Sequence, residues 1–145
     1  MDFLTGMRVS GSGMTAQRMR LNAISSNIAN VNTTRTPEGG AYRRKEVVFG
    51  AMPQQRNFGE ILAGKVDEDI DRVQVTDIRP DRKGPRLVYD PSHVDANEDG
   101  YVAYPDINMM MEMADMIQAS RSYEANVASM NTLKNMALSA IEIGR

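Results

Sequence analysis

The sequence predicts an α+β fold: long N- and C-terminal helices pair as a coiled-coil-like unit, with a small β-hairpin region between them. Three observations predict it. Apolar residues recur at helical spacing along both ends of the chain. The middle loses that period and carries short β-branched and aromatic runs separated by Pro and Gly. The 145 residues include no Trp and few aromatics, so a large aromatic core is not expected. The natural divisions are residues 1–35 (helix and Asn-rich bend), 36–105 (hairpin and extended region) and 106–145 (C-terminal helix, one structural unit with 1–35).

The first stripe runs through Phe3, Met7, Ser10, Met14, Gln17, Leu21, Ile24, Ile28 and Val31, in alternating steps of four and three. The next face over, with Arg8, Thr15, Arg18, Asn22 and Ser25, is mostly polar. The helix is well supported from Met14 onward. Ser10-Gly11-Ser12-Gly13 is poor helix material, so the stretch before Met14 is expected to order on a partner. A helix over residues 3–31 would span about 43 Å. Thr36-Pro37-Glu38-Gly39-Gly40 forms a turn or linker. Strands are expected over residues 42–49 and 72–78. A turn at 80–85 then leads to a returning strand at 86–89, and a second turn over 90–100 precedes a strand at 101–104. Residues 50–64 show no period and are expected to be mobile. So few strands need support from elsewhere.

The second long stripe starts after Pro105 and includes Met109, Met113, Met116, Tyr123, Val127, Met130, Ala137 and Ile141. Asp106 or Asn108 can cap its start, and Gly144 is expected to stop it. Methionine adapts to more than one neighbour. Most such stripes are ordinary core, but a small middle region cannot cover two helices of this length. The expected packing residues are therefore Met14, Leu21, Ile24, Ile28 and Val31 with Met113, Met116, Tyr123, Val127, Met130, Ala137 and Ile141.

Charge and composition exclude several classes. The net charge of −2 argues against a nucleic-acid partner. No apolar run is long enough for membrane insertion. The first residues lack a basic and an apolar segment, so no cleaved signal peptide is expected. Without cysteine there are no disulfides or thiolate metal sites. Residues 1–45 are basic, with Arg8, Arg18, Arg20, Arg35, Arg43, Arg44 and Lys45 against Asp2 and Glu38. Residues 106–145 are acidic, with Glu112 and Asp115 among their carboxylates. The two arms suit each other electrostatically, although two ordinary solvated faces would show the same bias.

Catalysis has little to stand on. His93 is the sole histidine, and Asp90, Ser92 and His93 sit in one loop, where a triad needs groups converging from separate elements. No Walker loop, dinucleotide fingerprint or His-Glu-x-x-His motif is present, and no cofactor is expected. The acidic run Asp67-Glu68-Asp69 with Asp71 suits a solvated surface. Residues 95–106 copy part of a calcium loop, with Asp95, Asn97 and Asp99 as oxygen ligands and Gly100 at the sixth position. Asp106 is short for the twelfth position, and Pro105 and Pro91 oppose the flanking helices. A hairpin turn in which Asp and Asn bond their own backbone is the favoured alternative. Asn27, Asn30 and Asn32 are the strongest site candidates: each amide can cap a helix end or bond a neighbour at the bend.

At the bend the chain resembles a known family. Ser25-Ser26-Asn27-Ile28-Ala29-Asn30-Val31-Asn32-Thr33, preceded by Gly11-Ser12-Gly13-Met14-Thr15-Ala16-Gln17-Arg18, is similar to the N-terminal motif of bacterial flagellar axial proteins. Thr34-Arg35-Thr36-Pro37-Glu38-Gly39-Gly40, Leu87-Val88-Tyr89-Asp90-Pro91-Ser92-His93 and Ser122-Tyr123-Glu124-Ala125-Asn126-Val127 narrow the resemblance to the proximal rod branch. It covers residues 1–49 and 86–145, with Val94 where the family would place Pro and Asp106 where it would place Asn. The resemblance implies a non-enzymatic subunit of the flagellar basal-body rod that helps carry torque across the periplasm. Its implied partners are other rod proteins, copies of itself, basal-body ring and rod-adaptor proteins, and the flagellar type III export apparatus. It also implies export without signal-peptide cleavage, with Phe3 and Met7 as the export-gate candidate. Rival readings are a calcium-responsive module on residues 95–106 and a soluble helical adaptor.

Overall fold

The computed structural model describes residues 3–52 and 71–143. The elements are α1 (Phe3–Ala29), β1 (Lys45–Met52), β2 (Arg72–Pro80), β3 (Arg86–Tyr89), β4 (Tyr101–Tyr104) and α2 (Met109–Ile143). This is the predicted α+β arrangement. Of the stretch 50–64 expected to be mobile, residues 50–52 instead complete β1, while 53–64, the acidic run Asp67-Glu68-Asp69 and the helix stop at Gly144 lie outside the described residues.

The two helices are antiparallel. Gly6 lies against Leu133, Gly11 against Met130 and Gly13 against Asn126. Arg20 reaches Asp115, and Asn27 reaches Glu112. Positions 6, 13, 20 and 27 are seven apart, so one coiled-coil edge of α1 faces α2. α1 is continuous through Ser10-Gly11-Ser12-Gly13, against the expectation that it weakens before Met14. Close packing outweighs propensity there. A Cβ on Gly13 would come within 2.8 Å of the Asn126 side-chain amide, so any other residue there must push that amide aside. At the other end Asn108 caps α2, its Oδ1 accepting from the N–H of Met110 at 3.0 Å and of Met111 at 3.3 Å.

The strands form two separate antiparallel pairs, β1 with β2 and β3 with β4. The expected return of residues 86–89 onto 72–78 is corrected: β2 pairs with β1 over eight positions, from Lys45↔Pro80 to Met52↔Arg72. That ladder is longer than the four-residue β3 could supply. The chain also leaves β2 through Pro80 and Pro85, which have no N–H to donate, while the Asp81 N–H is taken by the Arg44 carbonyl at 2.7 Å. A bulge at Thr76 shifts the register between Val48 and Phe49. Gly50 makes room for it, since a Cβ there would stand 2.6 Å from the Thr76 methyl.

Among the described residues the buried apolar side chains are few: Ala16, Ala23, Ile24, Val102, Pro105 and Ala119. Most are small, as close helix packing requires. Among the described residues no helix is long and apolar enough to cross a membrane.

Candidate functional site

The most enclosed polar groups meet where α1 ends. Asn27 and Glu112 are each 1% exposed. The Asn27 Nδ2 donates to the Lys45 carbonyl at 3.0 Å and to Glu112 Oε2 at 3.1 Å. Its Oδ1 accepts from the Lys45 N–H at 2.8 Å and from the Tyr42 hydroxyl at 3.1 Å. The amide therefore uses two donors and two acceptor positions, its full capacity. Because the Tyr42 proton goes to Asn27, the Ser26 hydroxyl donates to the Tyr42 oxygen, 3.0 Å away.

Glu112 stands in the first turn of α2, where the helix dipole favours a negative charge. Its Oε1 accepts from Arg44 Nε at 2.6 Å. Arg44 also lies 3.9 Å from Asp115, which takes a 3.2 Å bond from Arg20. Burial works against the Arg44 charge, but the hydrogen bond and charge of Glu112, with Asp81 and Asp115 nearby, raise its pKa above the ordinary guanidinium value. The result is a clasp tying the end of α1, the residues entering β1 and the start of α2 into one polar joint. It brings together the basic and acidic arms anticipated from the sequence, through Arg20, Arg44, Glu112 and Asp115.

Of the three candidate asparagines, Asn27 is the hub of the clasp. Asn30 closes the helix end, donating to the Ser26 carbonyl at 2.8 Å and accepting from the Thr33 hydroxyl at 3.1 Å. Asn32 lies exposed beyond the helix. Glu112, Arg44 and Tyr42 were not singled out as site residues. The available signal was a carboxylate inside a methionine stripe, a polar group at a seam position.

The helix–helix contact runs one position away from part of the expected seam. Met7, Met14, Leu21 and Ile28 flank the contacting 6, 13, 20 and 27, and all four are half-buried. Ile24 is enclosed and Val31 half-buried. On α2, Met116, Tyr123, Val127, Met130 and Ala137 are half-buried, Met113 is exposed, and Ile141 remains 66% exposed. Phe3 and Met7 lie one turn apart at the start of α1, both half-buried.

The loop from 95 to 106 holds its oxygens on separate tasks. The Asp95 carboxylate accepts from the Thr34 hydroxyl at 2.8 Å and lies 4.0 Å from Arg35. The Asn97 side-chain Oδ1 accepts from the N–H of Asp99 and of Tyr101. Gly100 sits at φ +80°, as the turn requires. This is the hairpin-turn geometry, and among the described residues no cluster of three or more His, Asp or Glu converges to hold a metal. The Ser92 hydroxyl donates to Asp90 at 2.6 Å, while His93 Nδ1 accepts the Asp95 N–H at 3.1 Å. Neither group is set up for nucleophilic work. The Ser92 bonds, side-chain then backbone, hold the Asp90 carboxyl below the usual carboxylate range.

A helical joint capped by a polar clasp, with little enclosed core, describes a building block. The family model described as "Flagella basal body rod protein" matches residues 7–35, and "Flagellar basal body rod FlgEFG protein C-terminal" matches residues 98–143. These define the class as flagellar basal-body rod proteins. Among curated proteins, the flagellar basal-body rod protein FlgC of Borreliella burgdorferi is 42% identical over 99% of this chain and 98% of its own length. FlgC of Bacillus subtilis is 40% identical over 96% of both chains. FlgC of Salmonella typhimurium is 35% identical over the full length of both. The chain belongs to the FlgC family of flagellar basal-body rod proteins.

Proposed function

We propose that this chain is a structural subunit of the flagellar basal-body rod, without enzymatic activity, built into the polymer through its terminal helices. One observation carries the reading. α2 is 35 residues long, yet only Glu112 and Ala119 on it are buried. Met110, Met111, Ile117, Met136, Leu138 and Ile141 all stand more than half exposed. α1 covers one edge of α2, with Gly6 already at Leu133 and its first described residue, Phe3, one turn beyond, so the last turns of α2 run past it. An apolar surface of this length is a contact surface for neighbours.

In this reading residues 1–35 and 106–145 act as one unit, and the clasp fixes its register before neighbours pack on it. Met14, Leu21, Ile28, Met113, Tyr123, Val127, Met130 and Ile141 offer the flanking surface. The partners are copies of the chain, other rod proteins, and basal-body ring and rod-adaptor proteins. The rod lies in the periplasm and carries torque. The chain leaves the cell body through the flagellar type III apparatus without signal-peptide cleavage, with Phe3 and Met7 presented to the export gate.

Fractionation tests the reading. A tagged chain is expected in purified basal bodies; recovery only as a soluble monomer overturns it. Export is read separately: Phe3→Ser with Met7→Ser is expected to lower the amount reaching the periplasm while leaving the amount made unchanged.

A further inference from the structure

The β3–β4 hairpin is apolar on both faces. Val88 and Val102 share one face, and Val102 is completely enclosed. Leu87, Tyr89 and Tyr101 share the other, where the two rings meet edge to face at 5.3 Å. The Tyr89 ring lies close over Gly100, where a Cβ would come within 3.0 Å of it. Yet Leu87 is 63% exposed and Tyr89 65%. Antiparallel pairs usually turn a polar face to water. Among the described elements, neither helix nor the β1–β2 pair approaches β3 or β4 within 8 Å between Cα atoms. Among the described residues, no helix or second strand pair covers this face.

Charge indicates what does. The hairpin and its turn, residues 86–104, carry Asp90, Asp95, Glu98 and Asp99 against one basic residue, Arg86. α1 carries Arg8, Arg18 and Arg20 and no carboxylate. Arg20 is occupied by Asp115. Arg8 and Arg18 are exposed and pair with no carboxylate among the described residues. They share the outward face of α1 with Leu4, about 15 Å apart along the axis. A cationic helix face with an apolar residue matches an aromatic face with an acidic rim, since guanidinium groups both pair with carboxylates and stack on tyrosine rings.

We propose that a second copy of this chain lays the outward face of its α1 across the aromatic face of the β3–β4 hairpin, its arginines meeting Glu98, Asp99 and the tyrosine rings. The proposal rests on the assembly reading above and adds which two surfaces meet.

The absence of native cysteine makes the test direct. Arg18→Cys and Asp99→Cys chains are produced together in flagellated cells, and basal bodies are purified and oxidised. A mixed disulfide dimer is expected, in excess over the control in which Arg82→Cys replaces Arg18→Cys. In parallel, Arg18→Glu is expected to lower recovery in basal bodies about tenfold, and coproduced Asp99→Lys to restore it. No excess of the mixed dimer, or full recovery of Arg18→Glu, overturns the proposal. So does Tyr89-dependent retention on purified peptidoglycan without the mixed dimer, because the platform then serves a glycan. Wild-type chain present in basal bodies without the crosslink removes this proposal alone; wild-type chain absent from them removes the assembly reading as well.

Discussion

Asn27 spends its whole hydrogen-bonding capacity inside the fold, and Glu112 beside it is a buried charge satisfied by Arg44 and that amide. Such groups add little net stability when paired, but removing a partner is costly. Asn27→Ala leaves the Lys45 N–H and carbonyl and one Glu112 oxygen without partners. It is expected to cost about 2–4 kcal/mol, measured as a lower urea midpoint at unchanged m-value. Asp90 makes a milder test. Its folded pKa lies below the unfolded one, so its contribution is complete above the ordinary carboxylate value and is lost as pH falls from there through the folded value. Ser92→Ala removes the main cause, and the Asp90 pKa, followed by NMR titration, is expected to rise. The importance of Asn27 was visible in the Asn-rich bend. Its partners were not, because Tyr42, Arg44 and Glu112 are distant in sequence and only the tertiary fold brings them to one amide.

The two helices were legible from their periods, and their antiparallel pairing follows from a chain that must return. The contact face was harder to see. Hydrophobicity pointed to a stripe through 3, 7, 10, 14, 17, 21, 24, 28 and 31, of which Ser10 and Ile24 are buried, while Gly6, Gly13, Arg20 and Asn27 beside it also meet α2. Small and polar residues can outrank apolar ones at a seam when backbones approach closely and charges are paired, and a hydrophobic count misses that. Gly13→Leu tests the closeness. The new side chain meets the Asn126 amide and is expected to cost about 1–3 kcal/mol through overpacking, read as a lowered thermal midpoint. Both strand pairs were expected as strands, but β2 was given the wrong partner. Alternation alone does not choose between neighbours, and ladder length with the donor-poor Pro80 did so here.

At the scale of the molecule, one polar joint organises a chain whose buried apolar core, among the described residues, is small alanines with Ile24, Val102 and Pro105. The apolar residues not used between α1 and α2 remain at the surface, most clearly along α2. The most direct measurement is hydrogen exchange across residues 3–29 and 109–143, in the dilute chain and in purified basal bodies. Protection around Asn27 and Glu112 is expected in both states. The first turns of α1 and the end of α2 are expected to exchange readily in dilute solution and to slow by about tenfold or more on assembly. Helices already protected in the dilute chain to the level found in basal bodies would contradict the account.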